Sequence, residues 1–376
     1  MQSLAVPTAF NPNDHTADEV LAALRGRSGN RRWKFRYELL DTSNSKTADL
    51  TNILGCSVEQ NWLADIKRKA SFELTDDGGI NFLADRIRPY VRLYLPPYGT
   101  DDWVEWPQGV FLLSTPSRRD EQSSILRDVE AYDLLQVYAD DLVSDRYTVT
   151  AGTVYTTAIS TLLGSTPKNI TASSKTLPVA KDWDPGTSKL SIINSLLGAI
   201  NYESLSFDEA GTAVVKPYVA PSSRAEEYVY ADDENSLMVP GVDQTLDLYS
   251  IPNKWVLVVS DPDQAALVSS YTNTDPSSPT STVRRGRTIT DFRTEQDAAD
   301  QASLDAKVAR LAFEASQIYE AIEFQTGLMP IHSGNDVYRL TYSPLAINDR
   351  YSEHSWSMRL EAGAPMAHRA RRVVNV

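Results

Sequence analysis

The chain has 376 residues, of which 41% are hydrophobic, 9% aromatic and 23% charged, with a formal charge of −14. These are the proportions of a folded protein too long for one ordinary core, so two or three domains are expected. No run of 18 apolar residues occurs, which excludes a membrane-spanning helix, and the acidic balance argues against nucleic-acid binding as the main task, since displacing counterions from DNA takes cations.

Residues 1–32 read as an N-terminal arm, and residues 1–10 lack the basic-then-apolar order of a secretory signal, so synthesis in a cytoplasm is expected. Asn11-Pro12-Asn13-Asp14 is turn chemistry, and Thr16 caps a short helix over residues 17–24 with Val20, Leu21 and Leu24 on one side. Gly26, Ser28 and Gly29 end it among Arg25, Arg27, Arg31 and Arg32, a cationic cluster that suits either an acidic partner or a solvated linker.

From Trp33 the hydrophobic period is two. Phe35, Tyr37 and Leu39, then Ala70, Phe72 and Leu74, then Val91, Leu93 and Leu95 alternate with polar neighbours, and 110–113 is a denser apolar run. With turn signals between them, these segments predict a first small antiparallel β-barrel domain over residues 33–118. Residues 119–250 read as a mixed α/β middle, with helices near 153–163 and 188–200 and a hairpin turning at Asp208-Glu209-Ala210-Gly211.

A second β-barrel domain is expected over 251–366. Its segment 255–259 reads as a strand buried on both faces, and a helix is expected near 295–316. In that helix Ala298, Ala302, Ala309 and Phe313 form one stripe, with Leu304, Val308, Leu311 and Ala315 beside it. Ile322 and Phe324, then Tyr338, Leu340 and Tyr342, then Trp356, Met358 and Leu360 mark three late strands. A basic tail, 367–376, follows. The run Pro107-Gln108-Gly109-Val110-Phe111 is echoed after Pro330 by Gly334, Val337, Tyr338 and Leu340. The fold class expected is therefore α+β and β-dominated, two related β-barrel domains flanking a mixed insert.

Chemistry-bearing signatures are sparse. The sequence holds no Gly-x-Ser-x-Gly, His-Glu-x-x-His, phosphate-loop or Gly-x-Gly-x-x-Gly motif. The carboxylate clusters Asp76-Asp77, Asp101-Asp102, Asp140-Asp141 and Asp232-Asp233-Glu234 sit mostly in turn contexts, where Asp bonds its own backbone. Cys56 is alone and reads as a small buried hydrophobe, and His15, His332, His354 and His368 are too scattered to predict a metal site. No catalytic residue, cofactor or metal is expected. The aromatics Trp33, Tyr98, Trp103 and Trp106 and the cations Arg284, Arg285 and Arg287 are candidates for a subunit interface.

Arg32-Trp33-Lys34-Phe35 leading to Leu39-Leu40-Asp41, residues 103–116, Glu130-Ala131-Tyr132-Asp133, residues 194–202, Pro252-Asn253-Lys254-Trp255, residues 278–287 and Met329-Pro330-Ile331-His332 follow one another in a distinctive order. Together they resemble the tail hub proteins of siphophages that infect actinobacteria. That family is similar in plan to the central hub of contractile-tail baseplates. The resemblance implies a homotrimer with two related barrels per subunit, located at the virion tail tip and joining a sixfold tail tube to a threefold tip. It implies a distal tail protein, a tape measure protein and other baseplate proteins as partners, with DNA only in transit and no membrane insertion. An acidic channel wall would then repel DNA phosphate. Because the sequence stops soon after its last strand, the C-terminal peptidase or lytic domain of larger relatives is not expected. The alternatives are a hexameric distal tail ring protein, or a carbohydrate-binding or cell-wall-degrading tip protein.

Overall fold

The computed structural model describes residues 1–4, 15–27, 29–95, 102–114, 116–121, 124–234, 236–247, 249–259, 266–295, 297–318 and 320–373. The expected turn at Asn11-Pro12-Asn13-Asp14 and the residue Tyr98 lie outside them.

The alternating segments become strands with the expected faces. Along Arg68–Thr75, Ala70, Phe72 and Leu74 are buried while Lys69, Ser71 and Glu73 point outward, as the two-residue period dictates. Trp33–Leu40 pairs antiparallel with Lys46–Leu50 on one side and Arg86–Tyr94 on the other. The sheet continues through Phe111–Leu113, Ser124–Asp133 and Arg68–Thr75 to Ile53–Asn61. It then crosses directly into the late strands Ile347–Arg359, Met366–Arg372 and Glu320–Thr326, and ends on Met238–Leu246. Tyr228–Ala231 lies parallel to Val337–Tyr342, which pairs with Ile347–Arg359.

The two strand-rich units are thus one open 15-stranded sheet. The two β-barrels expected are not found closed among the described residues, whose strands lie on this one branched sheet. The seam is the antiparallel pairing of Trp356 with Gln60 and Met358 with Val58. One core runs across it, holding Val58, Phe72 and Trp106 from the early unit with Phe324, Met329, Tyr338 and Trp356 from the late one. The arm belongs to this core too. The helix Ala17–Leu24 is closed by a capping box between Thr16 and Glu19, and its Val20 and Leu24 are fully buried.

The middle unit packs the helices Leu135–Asp140, Tyr155–Leu163 and Lys189–Ala199 into a separate core with Leu205, Ala213 and Val215. Both longer helices lie within two residues of their expected starts, and Gly164 ends the first at φ 59°.

Residues 251–317 differ from expectation. The strands Leu267–Thr272, Lys254–Val259 and Thr290–Glu295 form their own three-stranded sheet, with the helix Gln301–Gln317 packed against one face. Lys254–Val259 alternates in burial, with Trp255, Leu257 and Val259 facing the helix and Val256 and Val258 half-exposed, because only one face is covered. The helix starts at Gln301, where Asp300 caps it. Its Leu304, Val308, Ala312 and Phe313 are buried, while Ala302 and Ala309 face outward. The late β unit is consequently assembled from 228–246 and 320–372, with this α/β piece inserted between them.

Candidate functional site

The expected interface residues separate into three groups. Trp33 is half-buried on its strand. Trp106 and Trp103 are 2% and 5% exposed, so their surface is already spent inside their own chain and offers nothing to a partner. Trp103 lies under the ammonium of Lys34 at 4.5 Å, and Trp106 donates to the carbonyl of Ser3 at 3.4 Å. Arg284 and Arg285 end a short helix, Thr282–Arg285. Arg285 donates to the Ile251 carbonyl at 2.5 Å, and Arg287 stacks 4.6 Å from the Tyr249 ring, which is 75% exposed. Only this last group presents a substantial outer surface.

The polar groups that sequence reading missed sit where the units meet. Arg68, on the early β unit, donates through Nε to Gln60 and through an Nη atom to Glu209 of the middle unit, both at 2.7 Å. The same Glu209 oxygen accepts from the hydroxyl of Ser333 on the late unit at 2.7 Å. One carboxylate therefore ties three units. At the N-terminus, the Gln2 amide donates to the carbonyls of Pro107 and Pro330, the two prolines that open the echoed segments, at 3.0 Å each.

Behind this junction is a solvent-free cluster. His332 Nδ1 is 3.0 Å from Asp336 Oδ2 in hydrogen-bonding geometry, and 2.5 Å from Glu353 Oε2. The other Glu353 oxygen is 2.6 Å from His368 Nδ1. Tyr230 and Thr326 hydroxyls reach the Nε2 atoms of His332 and His368 at 2.6 and 2.8 Å. The Met1 ammonium is 2.6 Å from Asp336. Burial opposes the charge on His332, but the Glu353 charge and the Asp336 hydrogen bond outweigh it and carry its pKa up to about 9. Burial also opposes the carboxylates, yet His332 and its neighbours hold both Asp336 and Glu353 below their ordinary range. For His368 burial prevails over Glu353, and its pKa falls.

The donor atoms of His332, Glu353 and His368 all lie within 4.8 Å of one another, a set of the type that binds zinc. Tetrahedral zinc, with bonds of about 2.0–2.1 Å, spaces its ligands by roughly 3.3 Å. The 2.5 and 2.6 Å separations from Glu353 to the two imidazoles are instead those of short charge-assisted contacts. The His332 and Met1 cations already balance Asp336 and Glu353, so the arrangement reads as a charge-balanced polar cluster that fixes the late unit, although Glu353 Oε2 and the neighbouring Tyr338 hydroxyl have no hydrogen-bond partner among the described residues. Of the acidic doublets, Asp76-Asp77 shows the turn chemistry expected of it, Asp76 accepting from Gly78 N at 3.1 Å and Asp77 from Gly79 N at 2.9 Å, whereas Asp102 meets His15 at 2.8 Å, Asp141 meets Lys189 at 2.6 Å and Asp232 accepts from the distant Ser343 amide at 2.8 Å.

No protein-family model matches the sequence, and no curated protein matches it. Solved structures do. The fold is similar to the tail protein from Neisseria meningitidis MC58, with a TM-score of 0.64 at 10% identity, covering 90% of this chain and 96% of that one. It is similar to the 43 kDa tail protein of prophage MuSo2 from Shewanella oneidensis, with a TM-score of 0.63 at 9% identity, covering 90% and 98%. It is also similar to the E. coli c3393 protein, a type VI secretion component with structural similarity to the T4 tail proteins gp27 and gp5 (TM-score 0.50, 7% identity, covering 92% and 77%). At these identities the likeness establishes a fold, the β-dominated α+β fold of phage tail proteins.

Proposed function

We propose that this chain is a structural component of a phage tail tip, a trimeric hub that joins the sixfold tail tube and distal tail ring to the threefold tip. The observation that carries this reading is the extent of the likeness, which takes in 90% of this chain and 96% and 98% of two tail proteins. Two β units per subunit, hydrogen-bonded edge to edge at the 57–61/355–359 seam, would present six such units in a trimer and so meet a sixfold tube. The motif resemblance to siphophage hubs points the same way. In this reading the chain is made in the host cytoplasm, works in the virion and assembles with distal tail, tape measure and baseplate proteins. The charge of −14 then lines a channel that repels DNA phosphate during ejection. The role is one of building and not of catalysis.

Cryo-electron microscopy of the intact tail tip tests this. Three copies at the hub, carboxylates facing the lumen, are the expected result. Six copies one layer higher assign the chain to the distal ring instead, and a basic channel lining overturns the electrostatic part. Glycan turnover by the purified chain, abolished by substitution of a carboxylate pair, overturns the structural reading.

A further inference from the structure

A 260 Å³ cleft opens where all the units meet. The early β unit contributes Lys67, the middle unit Tyr218, the inserted helix Gln317, and the late β unit His354 and Arg371. Lys67 is 5% exposed, yet its ammonium donates only to the Trp62 carbonyl, at 2.9 Å, and rests 4.7 Å from the Trp62 ring. It forms no ion pair among the described residues, and neither does the half-buried guanidinium of Arg371. Three more polar atoms on the same walls have no hydrogen-bond partner: Nε2 of the buried Gln317, the hydroxyl of Tyr218 and Nδ1 of His354.

A buried cation with no ion-pair partner and buried donors without acceptors are both costly, and they rarely gather at one place unless something accepts from them. The acids nearby act on Lys67 only from a distance or are engaged elsewhere. Asp133 accepts from the Arg68 and Leu135 amides, Glu203 faces Lys216 at 3.4 Å, Glu314 is held by Arg310 at 2.8 Å, and Asp65 is exposed at the rim. We propose that the cleft is an oxyanion site, in which Lys67 and Arg371 supply the charge and Gln317 and Tyr218 supply hydrogen bonds to a phosphate or carboxylate group. Such an anion clamps the four pieces of the chain that line the cleft. Burial pushes Lys67 down to about 8 against the pull of Asp133, Glu203 and Asp65, and burial with Arg371 beside it pushes His354 down to about 4.

The test is thermal unfolding of the full chain titrated with sodium phosphate, sodium acetate or sodium chloride at constant ionic strength. The expected result is a saturable rise in Tm of about 3–5 °C with phosphate or acetate and none with chloride. Saturation by phosphate alone identifies a phosphate-type ligand, and saturation by acetate a carboxylate-type one; both support an oxyanion site. Arg371→Gln should raise the half-saturating concentration at least tenfold, and Lys67→Met likewise. Asp65→Asn, which removes a negative charge from the rim, should lower it. If Lys67→Met fails to fold, the Arg371→Gln and Asp65→Asn pair carries the test. A response that never saturates, or that is the same in these variants, overturns the proposal.

Discussion

Nδ1 of His332 lies 2.5 Å from Oε2 of Glu353, and neither side chain reaches solvent. Folding carries the His332 pKa from 6.5 to about 9, so its contribution to stability is full below about pH 6.5 and is lost as pH rises through about 9. Glu353 and Asp336 are shifted the other way, so their contributions are present above about pH 4 and lost on acidification. His368, held low, adds to the acid-side loss. The His332 contribution alone is expected to fall by about 3 kcal/mol between pH 7 and 10; the raised Met1 ammonium adds to this loss and Lys67, pushed down to about 8, offsets part of it. Urea midpoints across this range check it. His332→Gln should remove the His332 part, so the difference between native and variant midpoints shrinks as pH rises through about 9; if the two pH profiles run parallel, the loss belongs to another group.

Arg68 and Glu209 form a pair at 2.7 Å with side chains 5% and 11% exposed. Substituting Arg68→Met strands a carboxylate among the three units it joins, a loss of about 3–5 kcal/mol. Changing both residues to apolar ones of similar volume should recover much of that loss. A double-mutant cycle in denaturant measures the coupling. A single-variant loss under about 1 kcal/mol would place this pair with ordinary surface ion pairs.

The two glycines of the echoed segments are both pressed by the turn 61–68. A Cβ on Gly334 would stand 2.3 Å from Cε3 of Trp62, and one on Gly109, whose φ is +125°, would stand 2.9 Å from Cδ of Arg68. At Gly334 the obstacle is a rigid ring and the backbone itself is ordinary. Gly334→Ala should therefore destabilise by about 1–3 kcal/mol, and adding Trp62→Ala should remove most of that increment. Calorimetric Tm values for the two single variants and the double variant decide whether the clash is the cause.

Local rules made part of this fold legible. The Thr16 cap and the alternation of Ala70, Phe72 and Leu74 depend on neighbours a few residues away, and both appear where expected. Cys56 is buried as read, its thiol pushed up by desolvation. The seam between Gln60 and Trp356 joins residues nearly 300 positions apart, and nothing in either segment names its partner. A shorter separation along the chain was enough to hide the histidine cluster. His332 and Asp336, four residues apart, were its one local trace, while Glu353 and His368 arrive on later strands. Trp103 and Trp106 misled because a turn-rich context suggests exposure, whereas 103–107 is a strand against the main core.

The arm helix provides the last test. Eight residues are too few to hold a helix in water, even with a complete cap. Its order must come from docking, and Val20 and Leu24, both 0% exposed, enter the core shared by the two β units. Arg25 adds a hydrogen bond to the Tyr228 hydroxyl at 3.3 Å, on a strand of the late unit. Loss of the cap in Thr16→Ala should cost about 1 kcal/mol, whereas Leu24→Ala, which opens a cavity in that core, should cost about 2–5 kcal/mol. If the helix is part of the cooperative unit, Leu24→Ala lowers the global urea midpoint and hydrogen exchange at residues 20–24 tracks global unfolding. If those amides exchange freely while the global midpoint stays put, the arm melts by itself and the β units do not need it.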